Sequence, residues 1–235
     1  MDFKNLYILQ KKVDFEAIIA ESDGPFTDPD FPPKRSSLFN TGDSKLDDKE
    51  KETFESLTFA RPVDIFQEEF KMFDVIEPGD IRQGALGNCY FLSAISSLAE
   101  YPERIKKVFL TDYTNAAGAY AVELCVNGEL RNVVVDDFFP VFQQSGMLAF
   151  SQARDKEIWV QVLEKAWAKV NGNYENTIAG FTREALKALT GAPTEHFLHD
   201  YTKEEDLWGR IRSADKSRYV ITCGVGTEDH KGREE

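Results

Sequence analysis

The sequence predicts an α+β chain, on three observations. A loop punctuated by Gly84 and Gly87 runs straight into an apolar helical stretch that begins near Cys89. Two strand-like runs, near 119–126 and 130–136, meet at Asn127-Gly128, a favoured two-residue hairpin turn. A third run, over about 156–170, has helical character and stops at Asn171-Gly172.

Taken in order, Phe3, Leu6, Tyr7, Val13 and Ile18 with charges between them predict an amphipathic helix over 3–20. Residues 22–52 are rich in Pro, Asp, Ser and Lys and read as an extended segment and loop. Asp28 and Asp30 lack the glycine and distal glutamate of an EF-hand loop. The first core helix covers about 89–100, with Ala94, Ile95, Leu98 and Ala99 on one face, and Tyr101-Pro102 ends it. After the hairpin and the 156–170 helix comes a short helix from Thr182 to Leu189, closed by Gly191. Thr202 and Glu205 have the spacing of a capping box for a helix carrying Leu207, Trp208 and Ile211. Arg218 to Val225 reads as a buried strand. There is no internal repeat.

The 235 residues can hold one large domain or one and a half ordinary ones, and 42% hydrophobic content with three tryptophans is enough for a core. The apolar runs, such as Val133–Val135, are far too short to span a bilayer. Charges at Asp2, Lys4, Lys11 and Lys12 do not suit a signal peptide. Cys89, Cys125 and Cys223 are odd in number and lack metal-site spacing, which points to free thiols in a reducing, intracellular or cytoplasmic compartment. A formal net charge of −13 disfavours nucleic acid and anionic membranes as partners and leaves cations as ligands.

The chemistry centres on Gln83-Gly84-Ala85-Leu86-Gly87-Asn88-Cys89. Asn88 is a good N-cap residue, so Cys89 falls in the first helical turn. Unpaired N–H groups and the positive end of the helix dipole gather there. Such a thiol can have its pKa drawn from about 8.5 to about 3.5–7.5, making it a nucleophile at neutral pH. The Gln83 amide is a neutral donor of the kind that stabilises an oxyanion during acyl transfer. The alternative for Cys89 is a buried structural cysteine, which is a common fate for a free thiol.

Gln83 through Leu92 resembles the catalytic-cysteine segment of the calpains, cysteine proteases with a papain-like fold. Further segments follow the calpain pattern in order: Phe26-Thr27-Asp28-Pro29-Asp30-Phe31-Pro32-Pro33 with Ser37-Leu38-Phe39, then Arg61-Pro62 with Ile65, then Val133 to Pro140, then Trp159 to Gly172. The likeness covers roughly residues 20–226. It implies three parts: an N-terminal helix and pre-core segment (1–60), the cysteine-bearing half of a protease core with its small hairpin (61–214), and the opening strand of a β-rich second half (215–235).

The resemblance implies endopeptidase cleavage of intracellular protein substrates, with Cys89 as nucleophile and Gln83 at the oxyanion. It also implies Ca2+ held by the carbonyls of Phe73 and Val75 and the carboxylates of Asp80 and Glu157. Read without it, Asp80 caps a turn after Pro78-Gly79, and Glu157 is an early helical carboxylate favoured by the dipole. The calpain base and its orienting asparagine lie in Gly-His-Ala-Tyr and Asn-Pro-Trp segments that do not occur in these residues. His196, His199 and His230 read as solvated or locally bonded. The stretch is therefore expected to be incomplete as a protease and to show little peptidase activity alone. The alternative is a catalytically silent module that binds calcium or a regulatory protein partner. Asn88-Cys89-Tyr90 also stands where calpains often have Asp-Cys-Trp, which alters the cap and the cleft lining.

Overall fold

A computed structural model describes residues 14–21 and 24–224. Its first half is mostly short pieces: α1 (Phe15–Glu21), α2 (Arg35–Leu38), α3 (Asp48–Glu55), β1 (Leu57–Ala60) and α4 (Pro62–Phe66). A 3-10 turn at Pro78–Asp80 precedes α5 (Cys89–Ala99) and α6 (Pro102–Lys106). Three strands follow, β2 (Ala119–Val126), β3 (Glu129–Asp136) and β4 (Phe139–Phe142). The rest is helical: α7 (Trp159–Asn171), α8 (Thr182–Thr190) and α9 (Glu204–Lys216), with 3-10 turns at Glu175–Thr177 and His199–Tyr201. This is the mixed helix-and-strand architecture expected of the sequence.

The hairpin forms as its turn dictates. β2 and β3 pair antiparallel from Ala119↔Asp136 to Val126↔Glu129, and both Asn127 and Gly128 have positive φ. A second sheet, β1 with β4, joins residues distant in sequence, from Leu57↔Phe142 to Ala60↔Phe139. Pro140 sits opposite Phe59 in this sheet, and on the other edge of β4 its carbonyl accepts from Ala149 N at 3.0 Å while Val141 bridges to Leu148.

Helix α7 is the centre of the molecule. Every residue from Trp159 to Val170 is buried, so the helix has no solvated face and even Glu164, Lys165 and Lys169 lie inside. The main core packs Phe91, Ile95 and Leu98 of α5 against Val122, Val133, Trp159, Leu163 and Leu186. Phe91 stacks on Trp167 with ring centroids 5.5 Å apart. A second cluster gathers Phe31, Leu38, Phe39 and Phe54 against Phe150 and Tyr174.

Buried polar groups also tie residues 28–45 to the rest of the chain. Lys169 Nζ donates to Asp28 Oδ2 at 2.6 Å, Lys165 Nζ donates to Asp136 Oδ1, and Asp28 N donates to Asp136 Oδ2 at 2.7 Å. Glu175 takes the backbone N–H groups of Asn40 and Lys45 and the hydroxyl of Ser44.

Several expectations are corrected. The helix expected over 3–20 is seen at Phe15–Glu21, and residues 1–13 lie outside those described. The 22–52 loop contains α2 and the start of α3. The α3 helix opens with an Asp47–Glu50 capping box that the Asp-Asp-Lys-Glu order already encoded. The 156–170 helix begins only at Trp159, so Glu157 precedes it. The Thr202–Glu205 capping box does not form: Lys203 occupies the cap and makes no side-chain bond. Residues 218–224, expected to be a buried strand, have no regular structure and are mostly exposed. An extended segment becomes a strand only against a ladder partner, and no described strand lies beside it.

Candidate active site

The loop into Cys89 is fixed by its neighbours rather than by its own turn. Arg82 and Gln152 exchange backbone hydrogen bonds at 2.9 and 3.0 Å, and Ala85 N donates to Ala149 O at 2.8 Å. A Cβ on Gly84 would overlap the carbonyl oxygens of Ala149 and Phe150, so glycine is required by the approach of two backbones. On the other side Ala179 N donates to Gly87 O at 3.0 Å.

The eleven-residue helix α5 starts at Cys89, whose side chain is exposed. The sulfur thus stands at the N-terminal mouth of a well-packed helix, where free N–H donors favour negative charge. Gln83 lies in the same loop and donates from Nε2 to Leu86 O at 3.0 Å, which ties its amide to the cysteine turn.

Asn88 does not act as expected. It occupies the cap position, but its side chain makes no capping bond. It turns inward, fully buried, and donates from Nδ2 to Glu164 Oε1 at 2.8 Å. Glu164 Oε2 accepts from Ser151 N at 3.1 Å. One buried carboxyl therefore clasps the cysteine turn on one side and the 149–152 segment on the other. Burial in this dry position pushes the Glu164 carboxyl up to about 7, against the pull of its Asn88 and Ser151 donors. Sequence reasoning missed Glu164; the signal was a charged residue inside a helical run with no polar face to put it on.

Tyr90 is the next residue of α5 and is half-buried. Its hydroxyl accepts from Trp167 Nε1 at 3.0 Å, and its ring fills the space beside Gly180, where a Cβ would approach to 2.7 Å. Burial pushes the phenol up, and Glu184 and Cys89 add to that.

The second candidate site lies upstream. Asp80 is buried and accepts through Oδ2 from Glu77 N at 2.7 Å, the turn-capping role open to it from the sequence. Glu157 is buried just before α7, accepts from Asp74 N and takes Trp159 Nε1 at 3.3 Å. Burial pushes its carboxyl up despite those donors, with Asp80 and Asp74 adding to the rise. The structure thus brings Asp80 and Glu157 into one electrostatic neighbourhood, next to the 73–75 backbone. Among the described residues no three His, Cys, Asp or Glu side chains gather as ligands, so a cation here would depend on backbone oxygens. The two carboxylates suit a hard cation. The Phe73 carbonyl points away from the N–H that Glu157 accepts, because both belong to one planar trans peptide, so it could face the same cation only after that peptide turns. Ser96 Oγ donates to Pro78 O at 3.2 Å, which ties this turn to α5.

His196 and His199 are exposed on the stretch before α9, and His230 lies outside the described residues. No described helix is long and apolar enough to cross a membrane.

Residues 26–235 match the sequence profile described as calpain family cysteine protease. The chain belongs to the calpain family. Over 226 residues this calpain chain is 38% identical to the calpain-type cysteine protease ADL1 of Oryza sativa, covering 92% of the chain and 10% of that protein. It is 38% identical to the calpain-type cysteine protease DEK1 of Zea mays over 227 residues, with the same coverage of each. Against the calpain-1 catalytic subunit of Rattus norvegicus it is 34% identical over 212 residues, or 87% of the chain and 28% of that protein. The calpain segment thus spans a tenth to under a third of these relatives.

Proposed function

We propose that the chain carries the nucleophile half of a calpain-type endopeptidase site. Cys89 attacks the scissile carbonyl of a protein substrate, and the Gln83 amide with the N–H groups at the start of α5 receives the oxyanion. The observation that supports this reading is the exposed sulfur at the first residue of an eleven-residue helix whose approach loop is pinned on both sides.

Attack also needs a proton-transfer partner within hydrogen-bond reach. The described histidines stand exposed on the segment before α9, so the base belongs to residues other than these. Alkylation by iodoacetamide at neutral pH tests the nucleophile without requiring peptide turnover. Cys223 is also exposed and serves as the internal reference. Cys89 is expected to react about tenfold faster or more, as an activated thiolate does. Equal rates would overturn the reading.

The same reading assigns a divalent cation, Ca2+, to Asp80, Glu157, the carbonyl of Val75 and, once the Phe73–Asp74 peptide turns, the carbonyl of Phe73. Its charge would offset the repulsion of two buried carboxylates. Isothermal titration of the chain with calcium should give binding that Asp80→Ala abolishes; binding that survives unchanged removes the site. Calcium binding with an inert Cys89 would instead favour a catalytically silent binding module.

A further inference from the structure

Trp167 of α7 reaches the two residues that follow the candidate nucleophile. Its Nε1 donates to the Tyr90 hydroxyl at 3.0 Å, and its ring stacks on Phe91 at an interplanar angle of 8°. Both Trp167 and Phe91 are buried. An indole carries one N–H donor and no acceptor, so the buried Trp167 has a single polar group to satisfy, and Tyr90 satisfies it. The first turn of α5 is thereby tied to the central helix by a directed bond as well as by packing.

Tyr90 passes that constraint on to a second segment. The far end of its ring lies against Gly180, where a Cβ would come to 2.7 Å from Cζ. One residue earlier, Ala179 holds a left-handed φ of 57°, which its Cβ disfavours, and its N–H donates to Gly87 O at 3.0 Å. A strained backbone of this kind persists only where its neighbours over-determine it. Here the neighbours are the Gly87 carbonyl and the Tyr90 ring, one before Cys89 in the chain and one after it.

We propose that Trp167 and Tyr90 are positioning residues for Cys89: the indole–phenol bond sets the first turn of α5 and clamps the 178–180 segment against it. They act through the backbone that carries the sulfur. With the bond in place, the N–H groups at the start of α5 keep a fixed direction about the thiolate they stabilise. Without it the Tyr90 ring can leave Gly180, the turn loosens, and the thiolate loses part of that stabilisation.

This inference rests on the nucleophile reading of Cys89. The test compares iodoacetamide alkylation of Cys89 and Cys223, peptide by peptide, at neutral pH. Trp167→Phe keeps a ring to stack on Phe91 and removes the donor; Tyr90→Phe keeps the ring on Gly180 and removes the acceptor. Each should slow Cys89 about fivefold, the scale of one neutral hydrogen bond, and leave Cys223 unchanged. Making both changes should be no worse than making either, because the same bond is lost in every case. Tyr90→Trp sets a second N–H opposite the first and should also be slow. Adding Trp167→Tyr to it restores a donor and an acceptor with the roles exchanged, and should return Cys89 to the wild-type rate. Adding Trp167→Phe instead relieves the crowding as well but supplies no acceptor, so the rate should stay low. A merely structural role would not separate these two double variants. Wild-type rates in both single Phe variants, or equal rates in the two Tyr90→Trp doubles, overturn the inference alone. A wild-type Cys89 no faster than Cys223 overturns the nucleophile reading and the inference with it. Should circular dichroism show that Trp167→Phe fails to fold, Tyr90→Phe decides: a slowed Cys89 supports the inference, and a wild-type rate overturns it.

Discussion

Glu164 and Asp137 show what burial does to single carboxyls in this chain. Glu164 is pushed from 4.5 up to about 7, and Asp137 from 3.8 up to about 6 although Arg61 pairs with it. Both folded values exceed the unfolded ones, so the folded state binds more protons across that interval. The stabilisation is full below about 4 and is lost as pH rises through the folded values. Urea midpoints of the wild type should fall between mildly acidic and mildly alkaline pH. Glu164→Gln should flatten the upper part of that fall, worth at most about 3 kcal/mol. A fall of unchanged size in the variant would contradict this account. Gly84 makes a different residue-scale argument. Gly84→Ala forces two carbonyl oxygens away from the cysteine loop and should cost about 1–3 kcal/mol in urea unfolding, the range for overpacked sites.

At the scale of elements, local sequence decided where chain signals were complete. Asn127-Gly128 fixed the hairpin register, Gly191 ended α8 in the left-handed region, and Gly172 closed α7. Asp47 and Glu50 likewise satisfy two orphan donors at the start of α3. Asp47→Ala should lower stability by about 1 kcal/mol, read as a shift in the urea midpoint with unchanged slope. Thr202 and Glu205 show the limit of such patterns, because the helix beside them starts one residue later and leaves Trp208 exposed at 60%. The capping spacing was present, but the chain entered the helix at Lys203 and the bond had no geometry to form.

For the molecule as a whole, residues 28–60 are buried against later elements of the chain. Phe31 and Phe54 pack with Phe150 and Tyr174, and β1 pairs with β4. The Lys169–Asp28 pair joins residues 141 apart in sequence and is almost fully buried. Asp28→Ala leaves an uncompensated buried ammonium and should cost about 3–5 kcal/mol. Replacing both partners with apolar residues should recover much of that loss, since a buried pair gains little over hydrophobic contact. A double variant as unstable as Asp28→Ala would contradict this.

By itself the sequence determined the mixed fold, the hairpin, the cysteine at a helix mouth and the family, because glycine turns, capping residues and apolar periodicity act over a few residues. The family resemblance also grouped Asp80 and Glu157 around one cation, although they are far apart in the sequence. Only the tertiary structure decided that Asn88 faces inward, that Gly84 answers to the 149–150 backbone, and that 218–224 forms no strand. Each of these depends on what lies opposite. A side chain chooses between a helix cap and a buried carboxyl by which partner is within reach and dry, and a strand needs another strand beside it. Those partners come from segments tens of residues away, where no local pattern carries the information.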